Sequence, residues 1–179
     1  RVFQNDPCVF SSWGDAIAPQ AGDKSDLGSH NQQMKWIDLP PIWLAAHGVI
    51  VYLVRGFAEP LFVGQYIVGL GIITIGVAFM ILAVAVMTKH KTTVIPHQQP
   101  DALVTSGVFR ISRNPIYLGD ALVLAGAIIW LSAPTVALIL IPIFMAIITI
   151  RFIKLEEARL HKGFGPAFAA YAKQTRRWV

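Results

Sequence analysis

From residue 61 to residue 87 the chain carries no charged side chain. At about 1.5 Å of rise per residue, roughly 20 apolar residues cross the hydrocarbon core of a bilayer, and this run exceeds that length. A backbone in lipid must satisfy its own polar groups, which it does as a helix or a closed barrel. Three more apolar runs read the same way: 41–58, interrupted by His47 and Arg55, then 116–131 and 134–150. Ser132, Ala133 and Pro134 separate the last two and leave room only for a hairpin tip. The pattern predicts an all-α integral membrane bundle of about four transmembrane helices, with spans near 41–58, 61–87, 116–131 and 134–153. Hydrophobic residues make up 55% of the 179 and charged residues 14%. Mean hydropathy is +0.57. Four helices with almost no polar face would leave a soluble protein nothing to present to water.

Fifteen Lys and Arg against ten Asp and Glu give a net charge of +5, and their placement explains them. Lys89, Lys91, Arg110 and Arg113 lie in the loop 88–115, while Arg151, Lys154, Arg159, Lys162, Lys173, Arg176 and Arg177 lie in or next to the tail 154–179. The opposite side of a four-span bundle would carry only Arg55. Basic loops stay in the cytoplasm, so both termini, the loop and the tail are expected to face the cytosol. Anionic lipid headgroups account for the excess positive charge, and no interleaved basic and aromatic motif points to nucleic acid. One cysteine, Cys8, closes no internal disulfide and supplies no zinc spacing, so no metal site is expected. Residues 1–38 hold five Asp and three basic residues without helical or strand periodicity and read as a mobile or peripheral segment. They lack the basic start and immediate apolar core of a signal peptide, so cleavage is not expected. The domain proper is then 39–179.

The polar chemistry is concentrated in the loop 88–115 and the tail. Asn114 is a favoured N-cap residue and Pro115 suits the first helical position, so a helix starts there with its free amides facing the loop. Such an end, with Arg113 beside it, suits a carboxylate or phosphate. A plain helix start with Arg113 on lipid phosphate fits the same residues equally well. Glu156 and Glu157 suit a cationic ligand group or a solvated face. Phe164, Phe168 and Tyr171, at helical spacing, are expected to pack against the membrane surface. Asp120 falls one turn inside the third span, where an ionisable group is costly unless paired or wet; it is a candidate for an active cavity or for headgroup water. His47 and Arg55 read as packing or interfacial residues. Gly69, Gly71 and Gly76 sit inside a span, where small residues allow close helix packing, and they lack the dinucleotide fingerprint.

In order and spacing, several blocks resemble the isoprenylcysteine carboxyl methyltransferase family. They are the run Leu103-Val104-Thr105-Ser106-Gly107-Val108-Phe109, the block Arg113-Asn114-Pro115-Ile116-Tyr117-Leu118-Gly119, the helical hairpin, and then Glu156-Glu157, Leu160, Phe164-Gly165 and Tyr171. The resemblance extends to the wider group of membrane methyltransferases that includes phospholipid N-methyltransferases. It covers about residues 92–178.

The resemblance implies an S-adenosylmethionine-dependent enzyme whose cofactor pocket faces the cytosol and whose lipophilic or lipid-linked acceptor enters from the bilayer. It implies cofactor-lining positions at His97, Asp101, Ala102, Leu103, Val104, Phe109, Arg113, Asn114, Pro115, Ile116, Tyr117 and Glu156. Phe109 replaces a tyrosine usual in the family. Asn114 replaces a histidine, keeping a hydrogen-bond donor but losing a group that titrates near neutrality. Arg151 is the nearest match to an arginine that assists the acceptor. Glu157, Asp120 and His97 are candidates by position for taking a proton from an amine or hydroxyl acceptor. A prenylcysteine-like carboxylate would need no base. A phospholipid amine is the alternative acceptor, and a non-enzymatic membrane scaffold and an NADPH-dependent reductase are the competing classes.

Overall fold

A computed structural model of the chain describes residues 39–57, 62–92, 102–133 and 135–179, and the regular structure among them is helical. Five α-helices follow one another: α1 Pro40–Val54, α2 Gln65–Lys89, α3 Pro115–Trp130, α4 Leu140–Ile148 and α5 Lys154–Gln174. The first and third open on prolines, whose fixed φ and missing N–H cost nothing in a first turn. α2 and the helix that runs on from Ala137 to Gln174 are long and apolar enough to cross a membrane. α1 and α3 are apolar but have only 15 and 16 residues. The expected first span is cut short because Arg55 leaves the helix in an extended conformation, and Gly56 follows at φ 81°.

α2 and α3 form the tightest pair. They run antiparallel with facing glycines in a constant register, Gly69 opposite Gly126 and Gly76 opposite Gly119. A Cβ added at Gly76 would stand 2.6 Å from the Gly119 carbonyl oxygen, and one at Gly69 would stand 2.6 Å from the Trp130 nitrogen. The backbones therefore touch, which only glycine permits. Gly71 is different: open space surrounds it, so it takes no part in the crossing. At the far end of the pair the Gln65 amide donates to the Ser132 hydroxyl, and Gln65 is fully buried. The outer face of α2, with Ile67, Leu70, Ile75 and Ile81, is exposed. So long an apolar surface needs lipid or another partner to cover it.

α1 and α4 pack on the other side of α3 around Val51, Leu124, Ile128, Phe144 and Ile148. His47 is buried in this layer, as a packing residue: its Nδ1 lies 2.8 Å from the Trp43 carbonyl and its ring meets Phe144 edge-on. Arg55 stacks on Tyr52 at the exposed end of α1.

α5 is broken once. Gly165 takes φ 46°, and Pro166 follows, lacking an N–H and excluding the ordinary helical conformation for the residue before it. The chain bends there and brings Phe168 and Tyr171 back alongside Phe164. These aromatics were expected on the membrane surface. They are instead buried around Leu103, because the bend turns the stripe inward onto the loop that precedes α3.

Gly76→Ala is expected to cost about 1–3 kcal/mol, since the new methyl must push two backbones apart. Gly71→Ala, the same change facing open space, is expected to stay within about 0.5 kcal/mol. Thermal unfolding of the two variants in detergent checks the difference.

Candidate active site

The site is assembled at the end of the bundle where α2 finishes, α3 begins and α5 passes. A short 3₁₀ turn, Gly107–Arg110, brings the loop back toward α2. Its buried residues Val108 and Phe109 pack with Val104 and Ala83. The Tyr171 hydroxyl donates to the Phe109 carbonyl at 2.6 Å, tying this turn to α5. Thr92 and Ala102 close the base of the loop through two hydrogen bonds of 3.4 Å.

Ser112, Arg113 and Asn114 then meet a strap formed by residues 175–178. The Arg113 amide donates to the Arg176 carbonyl at 3.0 Å. The Arg177 carbonyl accepts from the Ser112 hydroxyl at 3.2 Å and from the Asn114 side-chain amide at 2.9 Å. Asn114 stands at the N-cap position as expected, but its side chain does not cap α3. Its Nδ2 is turned to the strap carbonyl, and the first amides of α3 have no side-chain cap.

Two glutamates on α5 face this corner. Glu157 binds Arg177 in a fork, at 3.0 Å from Nε and 2.6 Å from Nη2, and Arg113 reaches it at 3.3 Å. The carboxylate raises the pKa of the Arg177 guanidinium further by hydrogen bonding. Arg113 also lies over the Phe168 ring at 5.9 Å, and its Nε is buried with no hydrogen-bond partner among the described residues. Glu156 accepts a 2.7 Å hydrogen bond from the Tyr117 hydroxyl. Asp120 follows Tyr117 by one turn of α3. Asp120 is 6% exposed, and no described residue forms a hydrogen bond or ion pair with it.

The helix that carries the glutamates is irregular just before them. Residues Thr149–Ile153 form a π turn, wider than an α turn by one residue. Thr149 donates to the Met145 carbonyl at 2.6 Å and accepts from the Trp178 indole at 3.2 Å. The strap is therefore anchored here too.

The structure brings together Arg113, Asn114, Pro115, Tyr117, Asp120, Glu156 and Glu157. Leu103, Val104 and Phe109 are buried in the walls, in the packing clusters of α5 and α2, and Ile116 packs against the second of these. Ala102 contacts Thr92. Arg151 is exposed, with its guanidinium 5.5 Å over the Trp43 ring. His97 and Asp101 lie outside the described residues.

A family model described as phospholipid methyltransferase matches residues 64–167, more than half of the chain, including Arg113, Tyr117, Asp120 and the two glutamates but not Phe168, Tyr171 or the strap. The chain belongs to the phospholipid methyltransferase family. Comparison with curated proteins and with solved structures returned no match. Membership in the phospholipid methyltransferase family, within the broader group of isoprenylcysteine carboxyl methyltransferase-like membrane enzymes, makes this a membrane methyltransferase acting on a lipid-type substrate. Two apolar helices of membrane-crossing length agree with that.

Sequence reading missed Arg177, counting it only as one tail charge, and missed Ser112 and Trp178. The signal available was Gly165-Pro166: a break in a helical pattern that lets residues 20 positions past Glu157 return to it.

Tyr171→Phe is expected to cost about 1–3 kcal/mol, because it strands the buried Phe109 carbonyl while leaving the ring in place. A lowered melting temperature with an unchanged helical circular dichroism spectrum is the expected readout.

Proposed function

We propose that the protein transfers a methyl group from S-adenosylmethionine to a lipophilic or lipid-linked acceptor at the cytosolic face of a membrane. The observation that carries this is the corner itself: a buried Arg113 Nε with no hydrogen-bond partner among the described residues, an α3 N-terminus without a side-chain cap, and Glu156 oriented by Tyr117. A zwitterionic aminoacid group fits that donor set. Arg113 and the α3 amides suit its carboxylate, and Glu156 suits its ammonium. The loop residues 101–104 and Phe109, Asn114, Pro115 and Ile116 would line the remainder of the pocket. Bound there, the cofactor supplies an electrophilic methyl on a sulfonium centre.

The protein's own part is alignment and exclusion of water, since displacement at carbon depends on bringing donor and acceptor into line. Asp120 bears on the acceptor. A buried carboxylate with no cation bound to it among the described residues repels an anionic acceptor and attracts a proton-bearing one, so an amine or hydroxyl suits a site beside Asp120 better than a prenylcysteine-like carboxylate. Asp120 is then the group that accepts the acceptor's proton.

A four-span topology with the site in the cytosol is part of the same reading. Lys89, Arg110, Arg113, Lys154, Arg159, Lys162, Arg176 and Arg177 gather at the end of the bundle that holds the site, and Arg55 lies at the tip of α1 away from it. The distribution follows the rule that basic segments remain inside.

Calorimetric titration of the detergent-purified protein with S-adenosylhomocysteine tests the cofactor. Micromolar binding is expected, weakened at least about tenfold by Arg113→Ala. NADPH binding in its place would favour a reductase, and no binding by folded protein would favour a scaffold. Glu156→Ala should weaken binding more than Lys173→Ala. Asp120→Asn is expected to lower turnover with an aminophospholipid by about a hundredfold or more while leaving S-adenosylhomocysteine affinity unchanged. Radiolabelled methyl transfer measures the turnover, and a matching loss of affinity would remove Asp120 from the acceptor side.

A further inference from the structure

We propose that Arg177 is a positioning residue that keeps Arg113 electrostatically available for an anionic ligand group. The inference rests on the cofactor reading above and deepens it. Arg177 lies beyond the residues matched by the family model.

Glu157 is flanked by two arginines, and the three distances are unequal. Arg177 engages both carboxylate oxygens, at 3.0 and 2.6 Å, whereas Arg113 approaches one oxygen at 3.3 Å. A fork of two charge-assisted bonds is the stronger of these contacts, so Glu157 is satisfied mainly by Arg177. Arg113 keeps a guanidinium whose charge is only partly matched and whose buried Nε has no hydrogen-bond partner among the described residues. Without Arg177, Glu157 would be left half buried with Arg113 as its nearest cation. Attraction to Arg113, whose side chain is 14% exposed, would draw it toward the carboxylate and reduce the charge it offers the site.

The strap is built to hold Arg177 in that place. Its backbone is hydrogen-bonded to Arg113, Ser112 and Asn114, and the next residue, Trp178, is anchored on Thr149 of the π turn. The backbone of Arg177 thus fixes the Arg113 segment, while its side chain occupies the carboxylate that competes for Arg113.

A role of this kind has a signature that loss of a structural tie lacks: removing the competitor should cure the defect. Arg177→Ala is expected to weaken S-adenosylhomocysteine binding about tenfold, and Arg177→Lys, which cannot fork, by an intermediate factor. The double variant Arg177→Ala/Glu157→Gln should return to within about threefold of the parent protein, because Arg113 is then no longer captured. Titration calorimetry on the full chain in detergent reads all three, with melting curves to establish folding. Failure of the double variant to recover affinity would overturn the proposal.

A ligand-free measurement keeps the two readings apart. The coupling between Arg113→Ala and Glu157→Gln in thermal stability is expected to be small with Arg177 present and to increase at least about twofold when residue 177 is alanine. If the parent protein binds no S-adenosylhomocysteine, the cofactor reading fails and this coupling still decides: an increase supports capture of Arg113, and an unchanged coupling overturns it.

Discussion

Backbone contact between α2 and α3 is the constraint from which the rest of the molecule is built. Four glycines remove the side chains that would hold two helices apart, and their common register fixes the helices along their length as well as across it. The head of α3 is thereby placed beside the end of α2, so the loop between them must fold back over a short distance. Val108 and Phe109 fill the gap against Ala83, and the chain enters α3 with Arg113 and Tyr117 directed toward α5. A site that must hold charged groups near a bilayer rests in this way on a contact with no polar side chain in it.

The second level of organisation is the sorting of charge within the corner. Arg113 and Arg177 meet at Glu157, while Tyr117 holds Glu156 and Asp120 stands one turn further along α3. They are not paired evenly. Glu157 is shared by two arginines, while Glu156 accepts a phenolic hydrogen bond beside its other contacts. A uniformly paired cluster would be inert, since every ligand charge would have to displace an existing partner at full desolvation cost. Sharing one carboxylate between two arginines leaves Arg113 only partly matched inside the protein.

Much of this was legible from the residues. Uncharged runs located α2, α3 and the helical hairpin, and the Asn114-Pro115 pair located the start of α3 to the residue. The sequence also marks Tyr117 and Glu156, which share a hydrogen bond, and Arg113, which reaches the neighbouring Glu157. What the sequence hid was tertiary. Asn114 has the side chain of a cap, and a carbonyl from 63 residues away claims it instead. Phe164, Phe168 and Tyr171 have the period of a surface stripe, yet one backbone bend at Gly165 turns them inward. Arg177 looked like any tail charge because its partner lies on the other side of that bend. Local pattern reports what a segment can do, and such long-range partners decide which option it takes.

The π turn in the long final helix has a consequence of its own. An unbroken α-helix ties the direction of every side chain to that of every other, so a helix that must seal an apolar core below and present two carboxylates above would have both tasks set by one rotation. The extra residue between Thr149 and Ile153 uncouples them. It acts as a phase adjuster, letting Phe144 and Ile148 face the core while Glu156 and Glu157 face the corner, and Thr149 at its start holds the indole of Trp178. Membrane packing and site geometry in this chain can therefore vary independently across a single turn of helix.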